Sequence, residues 1–258
     1  MSDEILYEVS GEIGWITLNR PQARNALTFA MYDRVAEICA DIEGHGSPKV
    51  LVLTGAGEKA FAAGTDISQF RAFTKPEDAL AYEARIDEVL RKIEGCRIPT
   101  IAAISGAVTG GGASIACACD MRIATQDARF GFPVARTLGN CLSMNNYARL
   151  ASLLGPARVK DIVFTARLVG TEEAHRIGLF NELVADHAAL MARAKELATT
   201  IAGHAPLTLR ATKEAMRRLS AVNHTEDSDL VVMCYMSADF REGMEAFLAK
   251  RAPNWQGR

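Results

Sequence analysis

Three consecutive glycines, Gly110, Gly111 and Gly112, lie in the stretch IPTIAAISGAVTGGGASIACACD from Ile98 to Asp120. Pro99 opens an apolar run from Ile101 to Ile104, Ser105 and Gly106 interrupt it, and the glycines then let the backbone approach another group closely. Ala113 to Cys117 have the small, apolar character of a buried helix start. The first turn of a helix carries unpaired N–H groups and a partial positive charge. A glycine turn feeding one is suited to hold an oxygen that becomes negative. The same glycines also suit plain packing of a helix on a strand.

A second stretch with chemical potential is TGAGEKAFAAGTDISQF, Thr54 to Phe70, where Ala62, Ala63 and Gly64 offer few side chains to block a ligand. It reads as a loop lining a binding site. Gly55 and Gly57 begin a dinucleotide fingerprint, but Ala60 occupies the third glycine position, and no phosphate-loop lysine motif occurs. Both nucleotide readings fail. The six cysteines, Cys39, Cys96, Cys117, Cys119, Cys141 and Cys234, lack C-x-x-C spacing and disulfide-framework density, which fits a reducing, cytoplasmic setting. Cys141 is a weak nucleophile candidate, because none of His45, His175, His187, His204 and His224 lies near these stretches in sequence.

The elements that must position these groups follow from periodicity. Tyr7 to Asn19 alternates as a hairpin, Thr28 caps a helix carrying Met31, Val35, Ile38 and Ile42, and Gly44 and Gly46 stop it. Val50 to Leu53 is an apolar strand, and Pro76 to Glu94 an amphipathic helix. Met121 to Ala124 and Ala128 to Phe132 are strands. Pro133 to Asn146 is a loop leading into a helix that ends near Leu154, and Gly155-Pro156 starts another to Thr165. Thr171 caps a short helix before Gly178, and Glu182 to Val184 is a last strand. Helices then cover about 187–202, 206–220, 226–239 and 241–249. Strand-rich repeats followed by helices suggest two parts.

At 258 residues with a formal net charge of −2, the chain has room for a large core and no electrostatic reason to bind nucleic acid or an acidic membrane surface. The most hydrophobic window, Ile101 to Cys119, approaches membrane-span length, but its glycines and hydroxyl residues place it in a protein interior. Met1 to Val9 lacks the pattern of a secretory signal.

Three segments together resemble the crotonase, or enoyl-CoA hydratase/isomerase, superfamily: NRPQARNAL (Asn19 to Leu27), KAFAAGTDI (Lys59 to Ile67) and the Ile98 to Asp120 stretch. RFGFP (Arg129 to Pro133), GTEEAHRIGLFNELV (Gly170 to Val184) and REGMEAFLAKR (Arg241 to Arg251) extend the likeness over nearly the whole chain. The resemblance implies an α/β (α+β) fold: a spiral of ββα repeats over residues 1–200, then a helical C-terminal region, 201–258, that mediates homotrimers or homohexamers. It implies an acyl-CoA thioester substrate, with coenzyme A as part of the substrate, no other cofactor and no metal. Matching residue by residue puts the two oxyanion-holding N–H groups at Ala63 and Gly111. It puts CoA contacts at Arg24, Ala62, Asp66, Ile67 and Lys250.

Hydratases of this family share water activation between two glutamates, and here those positions are Ser114 and Val134. A hydroxyl needs another group to activate it as a base, and a valine cannot serve at all. No acidic residue occurs from Gly131 to Lys160, so the second glutamate has not merely shifted. In its place the loop offers hydrogen-bonding groups. Arg136 and Asn140 are suited to bind a carboxylate or carbonyl of the acyl group, as in decarboxylation of a malonyl-type thioester, or equally to serve structure in an ion pair and a helix cap. Asp78, Glu83 and Asp87 are the acids expected to border the acyl pocket. The readings carried forward are an acyl-CoA enzyme not committed to hydration, a decarboxylase or other lyase, and a CoA-thioester-binding protein without chemistry.

Overall fold

Strands that leave one sheet to enter a second, and then return through a helix, build the molecule. The structure, a computed structural model, describes residues 4–43, 47–220 and 228–256, so Gly44, His45, Gly46, His224 and Glu226 lie outside it. The hairpin β1 (Ile5–Ser10) and β2 (Ile13–Leu18) pairs antiparallel, and α1 (Phe29–Asp41) starts where Thr28 accepts a hydrogen bond from the Met31 amide. Three repeats follow: β3 (Val50–Gly55), β4 (Ala60–Ala63) and α2 (Pro76–Glu94); β5 (Thr100–Ile104), β6 (Ala107–Thr109) and α3 (Gly111–Ala118); β7 (Met121–Thr125), β8 (Arg129–Gly131) and the short α4 (Val134–Thr137). The first strand of each repeat joins a six-stranded sheet and the second a four-stranded one. This alternation is the expected spiral of ββα repeats.

The rest of the chain is α5 (Met144–Leu154), α6 (Pro156–Thr165), β9 (Val169–Gly170), α7 (Thr171–Arg176), β10 (Glu182–Val184), α8 (His187–Ala202), α9 (Pro206–Ser220), α10 (Ser228–Tyr235) and α11 (Ala238–Leu248). The large sheet runs β1-β2-β3-β5-β7-β10 and the small one β4-β6-β8-β9. β3, β5 and β7 are apolar on both faces because both are covered: one by α8, through Leu190, Ala194 and Ala198, and the other by the main core with Phe61, Phe130 and Phe180. Among the described residues no helix is long and apolar enough to cross a membrane.

Several local expectations change. The stretch from Thr54 to Phe70 is not one loop: it contains β4 and runs into a 3-10 turn over Ile67–Ala72. Small residues give a strand little propensity, and β4 forms because β6 pairs with it and α3 packs on it. Thr171 opens α7 as its first residue and bonds the Gln126 carbonyl, with Gly170 at the cap. The two last helices break at Met236 rather than near residue 240, since Ser237 accepts the Phe240 amide as an N-cap. Both helices fold back over their own chain: Val231, Tyr235, Phe240 and Met244 pack with Ile67, Phe70 and Ala79.

Candidate functional site

β4 and β6 are neighbouring parallel strands with Ala63 opposite Thr109, so Gly64-Thr65 and Gly110-Gly111 leave the small sheet at the same end. Carboxyl ends of parallel strands are where open sheets place ligands. Gly110 turns the chain at a φ of +50°, and Gly111 begins α3. A Cβ at Gly110 would stand 3.4 Å from the Gly64 Cα, and one at Gly112 would run into the Ala62 carbonyl. The two loops are thus packed backbone to backbone, which glycine alone permits.

Gly64 accepts from the Leu27 amide at 2.8 Å, and Asp66 donates to the Leu27 carbonyl at 2.8 Å. In a parallel bridge of this form the middle residue, Thr65, turns its own N–H to the other side. Among the described residues no backbone acceptor meets the N–H of Thr65, Gly111 or Gly112. Ala63, an expected donor, does not share this property. Its N–H donates to the Arg24 carbonyl at 3.0 Å, because β4 uses that edge to bind the turn after Pro21. The unspent amides on the abutting loops are therefore those of Thr65, Gly111 and Gly112, and Thr65 with Gly111, the first residue on each loop to have one, stands in place of Ala63 with Gly111.

Hydroxyls crowd this place. The Tyr32 hydroxyl fills the position a Cβ on Gly111 would take, and Thr65 Oγ1 lies 2.9 Å from that position. Thr65 Oγ1 is 2.8 Å from the Tyr32 hydroxyl and 3.1 Å from that of Tyr82. Burial pushes the Tyr32 phenol well above its ordinary range, and burial together with the nearby Tyr32 and Glu83 does the same to Tyr82. Both phenols stay protonated at neutral pH. They can donate hydrogen bonds but cannot act as bases.

Ser114 and Val134 behave as their residue types require. Ser114 is buried in the first turn of α3, and its hydroxyl donates back to the Gly110 carbonyl at 3.3 Å. Val134 is buried as the first residue of α4. Arg136 is exposed on that short helix, and no ion pair of Arg136 occurs among the described residues. Asn140 instead turns its amide to the Tyr235 hydroxyl at 3.2 Å and the Cys141 carbonyl at 3.1 Å, so the two do not form a joint carboxylate clamp. The Asn140 Oδ1 is buried without a hydrogen-bond partner.

The CoA candidates separate into exposed and structural groups. Arg24 and Lys250 are exposed, with left-handed φ values of 51° and 54°. Ala62 is buried in β4 and Ile67 packs in the aromatic cluster. Asp66 caps the 3-10 turn through Ser68 and pairs with Arg20 at 3.0 Å. Burial acts to raise its pKa, but the hydrogen bonds from Ser68 and Arg20 together hold it below the usual carboxylate value.

Of the three acids on α2, Asp78 caps the helix by accepting the Thr74 and Lys75 amides, and Asp87 accepts from Ser143 at 2.6 Å and Asn145 at 2.7 Å. Glu83 is different. At 7% exposure it is the one buried carboxylate among the described residues, and it accepts the Tyr235 hydroxyl. The ring of Tyr82 lies 4.9 Å from Phe70 and 6.0 Å from Tyr235, so one aromatic cluster joins the Thr65 end to the Glu83 end. Cys141 pairs with Cys234, and this hydrogen bond, with burial, pushes its thiol up and away from nucleophilic use. His175 and His187 bond elsewhere, to the Phe180 carbonyl and the Ser105 hydroxyl.

Thr65, Tyr32 and Tyr82 are absent from the sequence candidates. The one signal available was a hydroxyl residue directly after Gly64; the two tyrosines converge on it from helices 33 and 17 residues away.

The model of the family described as enoyl-CoA hydratase/isomerase matches residues 8–258. A short-chain-enoyl-CoA hydratase of Clostridium acetobutylicum is 34% identical over 253 residues, 96% of each chain. A crotonyl-CoA hydratase of Syntrophomonas wolfei is 32% identical over 98% of each. Among solved structures, a methylmalonyl-CoA decarboxylase in complex with 2-nitronate-propionyl-CoA superposes with a TM-score of 0.89 at 25% identity, covering all of both chains. An enoyl-CoA hydratase/carnithine racemase of Magnetospirillum magneticum gives 0.80 at 33% identity, covering 100% of this chain and 97% of its own.

Proposed function

Because the chain belongs to the enoyl-CoA hydratase/isomerase family, we propose that it binds an acyl-CoA thioester and stabilises its enolate, formed by loss of a carboxylate from a carboxylated acyl group. The observation that carries this is the pair of unspent amides, Thr65 and Gly111, beside a site with no acid at either glutamate position. An enolate places negative charge on the thioester oxygen, and two preorganised donors at that point contribute about 3 kcal/mol or more each. Decarboxylation generates that charge without a base, since the carbon–carbon electron pair moves into the enolate as CO2 leaves. The likeness to a methylmalonyl-CoA decarboxylase supports this reaction, while the hydratases among the relatives support the substrate class and the family. Coenzyme A arrives as part of the substrate and is its only implied cofactor.

Glu83 supports a second reading. A buried carboxyl joined to the site by an aromatic cluster is a group able to carry a proton between carbons, as an isomerase requires. One set of assays separates the readings. The first expects CO2 release from malonyl-CoA or methylmalonyl-CoA and crotonyl-CoA hydration below about 1 per second, the low edge of ordinary turnover. Double-bond migration in a 3-enoyl-CoA that is lost in Glu83→Gln would favour the second. Hydration of crotonyl-CoA at an ordinary enzymatic rate would reject both.

A further inference from the structure

We propose that Cys141 and Cys234 form a peroxide-sensitive thiol pair, which oxidises to a disulfide joining α10 to the loop between α4 and α5. The enolate chemistry above uses neither residue, so the proposal stands apart from it. Cys234 lies in the last turn of α10, and Cys141 lies just before α5. One side-chain nitrogen draws these segments together: Asn140 Nδ2 donates to the Cys141 carbonyl at 3.1 Å and to the Tyr235 hydroxyl at 3.2 Å. The sequence neighbours of the two cysteines are thus bound across the two elements at one point. Both cysteine side chains pack against the same aromatic cluster, and their thiols are hydrogen-bonded to each other. Ser237 holds the end of α10 by donating to the Cys234 carbonyl at 2.7 Å. Exposure sets this pair apart from the other four cysteines. Cys39, Cys96, Cys117 and Cys119 are buried, whereas Cys141 and Cys234 are each half-buried. The second thiol contact, Cys39 with Cys96, is closed to an oxidant at 2% exposure on both sides.

The oxidant is hydrogen peroxide, and the step balances with it alone. A thiolate, not a thiol, attacks the peroxide, and a neighbouring S–H stabilises that thiolate. The hydrogen bond from Cys141 lowers the Cys234 thiol to about 7, so a share of it is ionised at neutral pH. The Cys234 sulfur takes one oxygen as the O–O bond breaks, giving a sulfenic acid and a hydroxide that takes up the released proton. The Cys141 thiol no longer faces a negative sulfur. It gives up its proton and attacks the Cys234 sulfur, the S–O bond breaks, and water leaves. The two thiols lose two electrons and two protons in all, and the peroxide becomes two waters. Sulfurs already in contact have only to close to the bonding distance of about 2.05 Å. The bond fixes α10 to the loop that carries Asn140, and with it Tyr235 and the Glu83 carboxylate that accepts the Tyr235 hydroxyl. In a reducing compartment such a bond is transient, as redox-sensing disulfides are.

The test treats the folded, reduced protein with hydrogen peroxide, unfolds it, alkylates the remaining thiols and maps the peptides by mass spectrometry. One linked pair of peptides is expected, containing Cys141 and Cys234 and lighter than their sum by two hydrogens, with Cys39, Cys96, Cys117 and Cys119 recovered as alkylated thiols. A dithiol reductant added before unfolding should return both cysteines to the free form. The link closes a long loop of the unfolded chain, so the melting temperature of the oxidised protein should stand at least about 4 °C above that of the reduced one. Cys234→Ser, given the same peroxide, should show neither the link nor the rise, which separates the disulfide from oxidation elsewhere. Should Cys234→Ser fail to fold, the wild-type peptide map decides the linkage by itself. Recovery of both cysteines as free thiols, or as separately oxidised acids, overturns the proposal. So does a link between Cys39 and Cys96 in preference to this one, a link between chains, or a bond that forms without any shift in melting.

Discussion

At the scale of single residues the site is set by what is small. Gly111 has no side chain because the Tyr32 hydroxyl occupies the place where one would go. Its φ is not positive, so the need for glycine here comes from packing and not from backbone conformation; Gly110 is the residue with the left-handed turn. Gly111→Ala is therefore expected to lower stability by about 1 to 3 kcal/mol, the ordinary cost of overpacking, and to lower the melting temperature with it. Gly111→Ala combined with Tyr32→Phe removes the worst overlap, leaving the Thr65 hydroxyl at 2.9 Å and the ring carbon of residue 32 at 3.1 Å from the new methyl group, so part of the lost stability should return. Urea unfolding of the two variants measures this; equal destabilisation of the single and double variants would show that the clash is not the cause. The glycines and both missing acids could be read from the sequence, because residue type alone carries them. The spent amide of Ala63 could not be, since its partner, the Arg24 carbonyl, is fixed by a turn 39 residues earlier.

At the scale of elements, the loop that carries Thr65 is held from both sides. Leu27 bridges it, and Asp66 closes it through Ser68 and Arg20, whose guanidinium also bonds the Ala26 carbonyl at 2.7 Å and pairs with Glu4 at 3.2 Å. Asp66 is thus first a structural residue of the segment that resembles a CoA-binding motif. Its folded pKa is depressed, so its stabilising effect is complete above the ordinary carboxylate pKa, about 3.9, and fades as pH falls through the lower folded value. Asp66→Asn keeps a cap but loses the charge, and a cost of about 1 kcal/mol at pH 7 is expected for these partly exposed contacts. Chemical denaturation at pH 7 and at pH 3 should show the difference between the two proteins shrinking at the lower pH; a constant difference would mean that ionisation of Asp66 is not involved. Long periodic elements such as α2 and α8 were legible, whereas β4, β9 and the break at Met236 depend on pairing and capping partners far along the chain.

At the scale of the whole molecule, the apolar residues of the last helices divide in two. Val231 and Met244 face the chain's own aromatic cluster, and Leu248 and Met236 pack against it, so these do not supply an outer face; the side chain of Leu230 lies outside the described residues. Met233 and Phe247 are exposed, and α9 adds Leu207 at 76%, Met216 at 56% and Leu219 at 68% exposure. Five large apolar side chains on three consecutive helices exceed what scattered surface residues need, and burying them against further copies of the chain would recover about 1.5 to 3 kcal/mol for each one fully covered. We expect three or six chains in solution, as the family resemblance implies. Light scattering at micromolar concentration gives the mass directly, and Leu207→Glu with Leu219→Glu should shift it toward one chain, because two buried carboxylates cost more than the contact returns. The circular dichroism spectrum should stay unchanged, since both positions are exposed in the single chain. We expect Lys250, exposed just past the end of α11, to reach a neighbour's CoA in that assembly, and Lys250→Ala should raise KM for a CoA thioester in the assembled protein while leaving kcat alone. A wild-type protein of single-chain mass would remove both the assembly and that role for Lys250.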